Sequence, residues 1–197
     1  MAEVLVVLGA YVLGSMPFGY WVIRVAKHED IRRVGSGNIG ATNVWRTYGK
    51  GYGIPIVLLD VAKGFVPAVV GTLVANELLG ALAGGAAMLG HWRPLFLRFQ
   101  KGGKTVATAG GTLFGIAPLV GLVGLVIWLV LFVGTRYASV ASMVTAAALP
   151  FVALALDEPW PVVVFAALAA AVVLVLHRAN IARLRSGTES RFRLRRA

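Results

Sequence analysis

Cysteine is absent from the 197 residues. That excludes disulfides, a thiolate nucleophile and any Cys-bound metal, and leaves the redox compartment unreadable. Acidic residues are scarce, 8 Asp+Glu against 19 Lys+Arg for a formal net charge of +11. Charge of either sign is scarce as well, at 14%, where a soluble domain carries about a quarter. No Lys or Arg precedes Arg24, so the N-terminus lacks the basic stretch that opens a signal peptide and reads as a retained first span. What the chain has instead is apolar surface: 58% hydrophobic residues and a mean hydropathy of +0.81. These values exclude a disordered tail, a collagenous chain and an ordinary soluble domain. They also argue against a nucleic-acid partner, because a basic binding face needs a soluble body to display it. The composition predicts an integral membrane protein whose basic residues face an anionic surface or an anionic substrate.

Several apolar stretches approach the roughly 20 residues that cross the hydrocarbon core: Glu3–Val25, Tyr52–Asn76, Ala138–Leu156 and Trp160–His177, with a weaker Gly-rich one over Leu78–Leu97. The stretch from Lys104 to Gly134 is too long for one straight span and is interrupted by Gly110-Gly111 and by Pro118. Charge decides how it counts, because cytoplasmic loops collect Lys and Arg. Residues 24–50 hold six basic residues, 91–104 hold four and 178–197 hold seven. Placing all three segments inside requires an odd number of spans. The reading is therefore a single polytopic all-α membrane domain over 1–197, a bundle of seven transmembrane helices with a break near Pro118. Its N-terminus is outside and its C-terminus cytoplasmic, which leaves Lys63 as the one basic residue within a span. Five or six spans with a re-entrant segment between Lys104 and Pro118 is the competing count. No internal repeat supports an inverted-repeat transporter plan. The pairs Gly80/Gly84 and Gly111/Gly115 read as helix-packing contacts.

Three polar segments, 35–46, 90–108 and 177–189, fall on the inner side. In the first, Gly35-Ser36-Gly37-Asn38-Ile39-Gly40-Ala41-Thr42-Asn43-Val44-Trp45-Arg46, glycines let backbone N–H groups approach an anion. Ser36, Asn38, Thr42 and Asn43 add hydrogen bonds and Arg46 adds a bidentate phosphate contact. A helix starting near Ala41 contributes a favourable field. A capped Gly-rich turn is the plainer reading. The second segment carries Lys101-Gly102-Gly103-Lys104-Thr105, a phosphate-cradle composition without Walker A spacing. In the third, His177 and Asn180 are three apart and share a helix face; together they can orient a hydroxyl, with the imidazole accepting its proton, although a His at a membrane interface also serves as an anchor. Arg191 to Arg196 suit anionic headgroups. Asp60 and Lys63, three apart inside the second span, read as a neutralising ion pair. Ser142 either bonds the preceding backbone or reaches an anion.

These segments, in this order and on this side, resemble the bacterial acyl-phosphate-dependent glycerol-3-phosphate acyltransferases, the PlsY family, over essentially the whole chain. The resemblance is carried by Gly-Ser-Gly-Asn-Ile-Gly-Ala-Thr-Asn-Val-x-Arg at 35–46 and His-Arg-x-Asn-Ile-x-Arg-Leu at 177–184. Asp60…Lys63-Gly64 and Tyr137-x-Ser-x-x-Ser142 support it. The middle segment departs from the family's Phe-Lys-Gly-Gly-Lys-Gly: Gln100 is an extra residue and Thr105 replaces the last Gly.

The resemblance implies transfer of an acyl group from a fatty acyl phosphate to the 1-hydroxyl of glycerol 3-phosphate. The products are lysophosphatidic acid and phosphate, in the bacterial cytoplasmic membrane. It assigns phosphate binding to Ser36, Arg46 and Lys104, with backbone at Gly102 and Gly103 and help from Thr42 and Ser142. Asn180 and His177 position the attacking hydroxyl, and its proton goes either to His177 or to the donor phosphate. An acyl phosphate is an activated mixed anhydride, so the chemistry requires no cofactor, no metal and no enzyme nucleophile. The expected partners are glycerol 3-phosphate, fatty acyl phosphate and membrane lipids, with no obligate protein partner. His-x4-Asp, used by the other class of glycerolipid acyltransferases, is absent: no acid lies five residues after His28, His91 or His177. The competing functions are a transporter or channel for a phosphorylated anion and a lipid-binding scaffold. Transport sites sit near the midplane, whereas these polar segments lie at one face.

Overall fold

The structure is a computed structural model that describes residues 1–192. Arg193, Arg195 and Arg196, expected at lipid headgroups, lie outside the described residues. Every regular element among the described residues is helical. The chain forms two compact units, Met1–Pro118 and Leu119–Ala197.

The first unit contains α1 (Ala2–Gly14), α2 (Phe18–Lys27), α3 (Ala41–Tyr48), α4 (Lys50–Val74), α5 (Glu77–Trp92) and α6 (Val106–Ile116). The sequence predicts one span over Glu3–Val25; Ala2–Lys27 is one stretch long and apolar enough to cross, with its helix interrupted at Ser15–Pro17. Pro17 has no N–H to donate and disfavours helical backbone at Met16, so the helix stops and restarts. Helix α4 is the centre of the unit and packs against α1, α3, α5 and α6. Its contact with α6 is close because Gly64 lies against the Thr108 carbonyl and Gly111 against the Val61 carbonyl; a Cβ at either would overlap backbone. The other expected packing glycines behave alike: Gly80 faces Ala68 of α4, Gly84 faces Thr112 of α6, and Gly115 faces Ala68.

At one end of the unit Ile23, Ile31, Ile39, Val44, Ile56 and Leu97 form a buried apolar cluster, with Tyr20, Val34, Tyr48 and Tyr52 packed around it. Each such side chain contributes about 1.5–3 kcal/mol on burial, enough to hold the connections around residues 28–40 and 94–104 in fixed shapes. Deeper in the helices the expected ion pair is present: Lys63 Nζ lies 2.8 Å from Asp60 Oδ1, both side chains almost fully buried. The same ammonium donates to the Met16 carbonyl at 3.2 Å, at the break between α1 and α2. It also lies 2.6 Å from His91 Nδ1, a partner that the sequence reading did not foresee.

The second unit contains α7 (Pro118–Thr135), α8 (Ala138–Ala155), α9 (Trp160–Leu176) and α10 (Arg178–Arg185). The break ahead of α7 falls at Pro118, where the sequence predicts it. Helices α8 and α9 pack together, and α9 turns into α10 through a 55° bend. Among the described residues, four stretches are long and apolar enough to cross a membrane: Ala2–Lys27, Lys50–Val74, Pro118–Thr135 and Ala138–Ala155. The bent pair of α9 and α10 adds a fifth if counted as one span. Helices α5 and α6, with 16 and 11 residues, are shorter than the roughly 20 that a straight crossing needs.

Candidate active site

In the first segment, backbone conformation and one buried amide set the shape. Gly35 and Gly37 have φ of 60° and 69°, left-handed values that glycine adopts without strain. Asn43, 2% exposed, lies inside the loop: its Oδ1 accepts from Ser36 N at 2.9 Å. Its Nδ2 donates to the carbonyls of Val34 at 3.0 Å and Asn38 at 2.9 Å. The sequence expectation gives Asn43 a substrate contact; its amide instead holds the loop from within. Asn38 Oδ1 accepts from Gly40 N at 2.8 Å, while its buried Nδ2 has no hydrogen-bond partner among the described residues. Helix α3 starts at Ala41, as the polar run predicts. Ser36 and Thr42 are exposed and Arg46 is half-buried one turn further along α3.

The second segment is tied to the first. Leu97 is buried in the cluster with Ile31, Ile39 and Val44, and the extra residue, Gln100, accepts at Oε1 from Arg32 Nη1 at 2.8 Å. Arg32 is itself held by Asp30 at 2.7 Å, whose carboxyl that hydrogen-bonded guanidinium keeps below the usual carboxylate range. Gly102 and Gly103 are buried, and their N–H groups donate to the carbonyls of Trp92 and His91, both at 2.9 Å. These N–H groups were expected to face phosphate; they fold the loop back on α5 instead. Lys104 follows, half-buried.

Thr105, standing where the resembled family has Gly, has φ of 63° and occupies the position just ahead of α6 without a side-chain capping bond. A β-branched residue is a poor fit to that region, which costs an L-residue about 1–2 kcal/mol. Its buried hydroxyl finds no hydrogen-bond partner among the described residues. Thr105→Gly is therefore expected to stabilise the protein by about 1 kcal/mol, read as a higher thermal midpoint in detergent. A lower midpoint would mean that lost packing outweighs relieved strain.

In the second unit, His177 sits at the bend between α9 and α10, and its carbonyl accepts from Asn180 N at 2.8 Å. His177 is 3% and Asn180 6% exposed. The contact of His177 Nδ1 with the Val173 carbonyl, 2.8 Å, fixes the tautomer: a carbonyl only accepts, so Nδ1 carries the proton. Nε2 is then the basic nitrogen of the neutral ring. Asn180 Nδ2 donates to Glu189 Oε1 at 2.6 Å. Glu189 also accepts from Ser139 Oγ and Arg183 Nε, both at 2.7 Å. Burial works against the Glu189 charge, but these three hydrogen bonds and the Arg183 charge outweigh it and hold the carboxyl below its ordinary range. Glu189 thus fixes the orientation of the Asn180 amide. The sequence reading ends the third segment on Glu189 without giving it this role, though an isolated acid among seven C-terminal arginines was a usable signal. Ser142 Oγ donates to the Ala138 carbonyl at 2.7 Å and accepts from Trp128 Nε1 at 3.0 Å, the backbone-bonded alternative of the sequence reading.

The family model described as glycerol-3-phosphate acyltransferase matches residues 4–187, a range that contains nearly all three polar segments. A glycerol-3-phosphate acyltransferase of Geotalea daltonii is 45% identical over 193 residues, covering 98% of both chains. That of Desulforudis audaxviator is 43% identical over 195 residues, covering 99% of this chain and 98% of its own. Among solved structures, crystal structures of PlsY, an integral membrane glycerol 3-phosphate acyltransferase, superpose closely. Its glycerol 3-phosphate form has a TM-score of 0.93 at 40% identity and its lysophosphatidic acid form 0.90 at 37%. Each covers 98% of this chain and 96% of its own. Long apolar helices, a polar loop shaped around Asn43 and full-length similarity of this degree lead to one conclusion: this integral membrane chain belongs to the glycerol-3-phosphate acyltransferase family.

Proposed function

We propose that this protein transfers a fatty acyl group from acyl phosphate to the 1-hydroxyl of glycerol 3-phosphate at the cytoplasmic face of the bacterial inner membrane, in phospholipid synthesis. The full-length similarity to glycerol-3-phosphate acyltransferases carries the acceptor. The donor is the one that the resemblance to acyl-phosphate-dependent enzymes implies, and the cations and hydrogen-bond donors of the polar segments suit two phosphates. In this reading the hydroxyl oxygen attacks the acyl carbonyl carbon, the bond from that carbon to the phosphate oxygen breaks, and phosphate leaves. The hydroxyl proton goes to His177 Nε2 or to the departing phosphate.

Ser36, Asn38, Thr42, Arg46 and Lys104 hold phosphate. Asn43, Gly102 and Gly103 contribute by shaping the loops that present them. Ser142 joins only by exchanging its Ala138 bond, and Asn180 and His177 position the attacking hydroxyl. The proposed topology is one membrane domain of seven spans, N-terminus outside and C-terminus inside, with the segments 35–46, 90–108 and 177–189 on the cytoplasmic side. The clustering of basic residues in those segments supports it.

Purified protein in detergent, given glycerol 3-phosphate with either palmitoyl phosphate or palmitoyl-CoA, tests the reading. Phosphate release and lysophosphatidic acid formation with the acyl phosphate alone are expected. Transfer only from the CoA ester would replace the donor, and no product with either would return the transporter and scaffold readings.

A further inference from the structure

A buried ion pair inside a membrane helix is costly to keep, and Asp60 and Lys63 would neutralise each other without further help. The ammonium nevertheless makes three further approaches. Besides Asp60 Oδ1 at 2.8 Å it reaches the Met16 carbonyl at 3.2 Å and His91 Nδ1 at 2.6 Å, and the Phe18 ring centre lies 5.6 Å away. Three donors thus meet three acceptors, and the third of these is a ring on the neighbouring helix α5. His91 is 5% exposed, and its other contacts lead to the Lys104 loop. Its carbonyl accepts the Gly103 N–H at 2.9 Å. Its ring lies so close under Gly103 that even a methyl group there would overlap it. Gly103 immediately precedes Lys104.

We infer that Asp60, Lys63 and His91 are positioning residues: the buried ammonium fixes the His91 ring, the ring and carbonyl of His91 fix Gly103, and Gly103 sets where the Lys104 ammonium meets the phosphate of glycerol 3-phosphate. The inference rests on the proposed acyltransferase reading for its substrate, but its structural half, control of the Gly103 backbone from α4, stands apart from it.

Two variants test it. His91→Phe keeps a flat ring beneath Gly103 and removes the acceptor for Lys63. The double variant Asp60→Leu/Lys63→Met removes both charges together and leaves none unpaired. In whichever variants purify folded, the KM for glycerol 3-phosphate is expected to rise about tenfold or more, as for a binding group displaced by a fraction of an ångström to an ångström. The KM for acyl phosphate and kcat should stay within about threefold. Amide exchange at Gly103 and Lys104 should accelerate about tenfold as the shelf loosens. A folded variant with wild-type KM for glycerol 3-phosphate and unchanged exchange overturns the inference, and so does a fall in kcat with KM unmoved. Absence of turnover in the wild type would overturn the acyltransferase reading alone. Exchange at Gly103 would then still decide whether the cluster controls the loop.

Discussion

Lys104→Ala is expected to lower turnover by ~10²–10³-fold while the protein still purifies folded, and Arg46→Ala to do the same. Both substrates of the proposed reaction carry phosphate, and the departing phosphate gains charge as the acyl bond breaks. A cation against it, the role left to Arg46, binds the transition state more tightly than the ground state and raises kcat; Lys104, on the phosphate of glycerol 3-phosphate, tightens that substrate and acts on turnover through kcat/KM. Neither side chain belongs to a core that the fold depends on: both are half-buried. Lys104 follows a loop held by backbone bonds from Gly102 and Gly103. Arg46 rides on a helix anchored by Val44 and Ile39 in the apolar cluster. The conservative replacements sharpen the expectation. Arg46→Lys keeps the charge but loses the planar fork, and should recover only part of the activity. Kinetics in both substrates, with a size-exclusion profile for each variant, make the check. Near-wild-type turnover in either alanine variant would remove that residue from the site.

Much of the architecture is legible in the sequence because it is written in local chemistry. Pro118 interrupts an apolar run too long for one span, and the helix breaks there. The polar run ahead of Ala41 ends where α3 begins, and Asp60 and Lys63 are one helical turn apart and pair. The small-residue pairs also meet neighbouring helices. Each of these needs only spacing and residue type. The helix interruption at Ser15–Pro17 is equally local, a proline effect, and it leaves Ala2–Lys27 a single stretch long enough to cross.

What the sequence could not show is where polar groups send their hydrogen bonds. Asn43, Gly102 and Gly103 have the residue types of an anion cradle, yet all three bond inward, to Val34, Asn38, Trp92 and His91. Spacing does not distinguish a glycine that offers its N–H to a ligand from one that needs the room to pass close to a histidine ring. The links from Lys63 to His91 and from Asn180 to Glu189 join separate helices or a helix and a tail. They exist only once the chain is folded. Thr105 is the informative middle case. The departure from the resembled family's glycine was visible in the sequence, and Thr105 stands in the left-handed region that glycine adopts without strain.

His177→Ala is expected to reduce kcat by ~10²–10⁴-fold, and its size bears on where the proton goes. The bond from Nδ1 to the Val173 carbonyl holds the imidazole in the tautomer whose Nε2 can accept a proton, so a backbone carbonyl prepares the ring as a base. If Nε2 takes the proton from the attacking hydroxyl, activity depends on keeping the ring neutral. The wild-type rate should then fall toward acid pH, and that fall should be missing in His177→Gln, which retains a hydrogen-bonding group but has nothing to titrate. If the departing phosphate takes the proton, His177→Gln should keep most of the activity and show the same acid limb as the wild type. Asn180→Ala serves as the reference for loss of positioning alone, because removing that amide leaves Glu189 its bonds to Ser139 and Arg183. A loss in His177→Ala no greater than in Asn180→Ala, with matching pH profiles, would assign His177 to orientation; a larger loss with a vanished acid limb would assign it the proton.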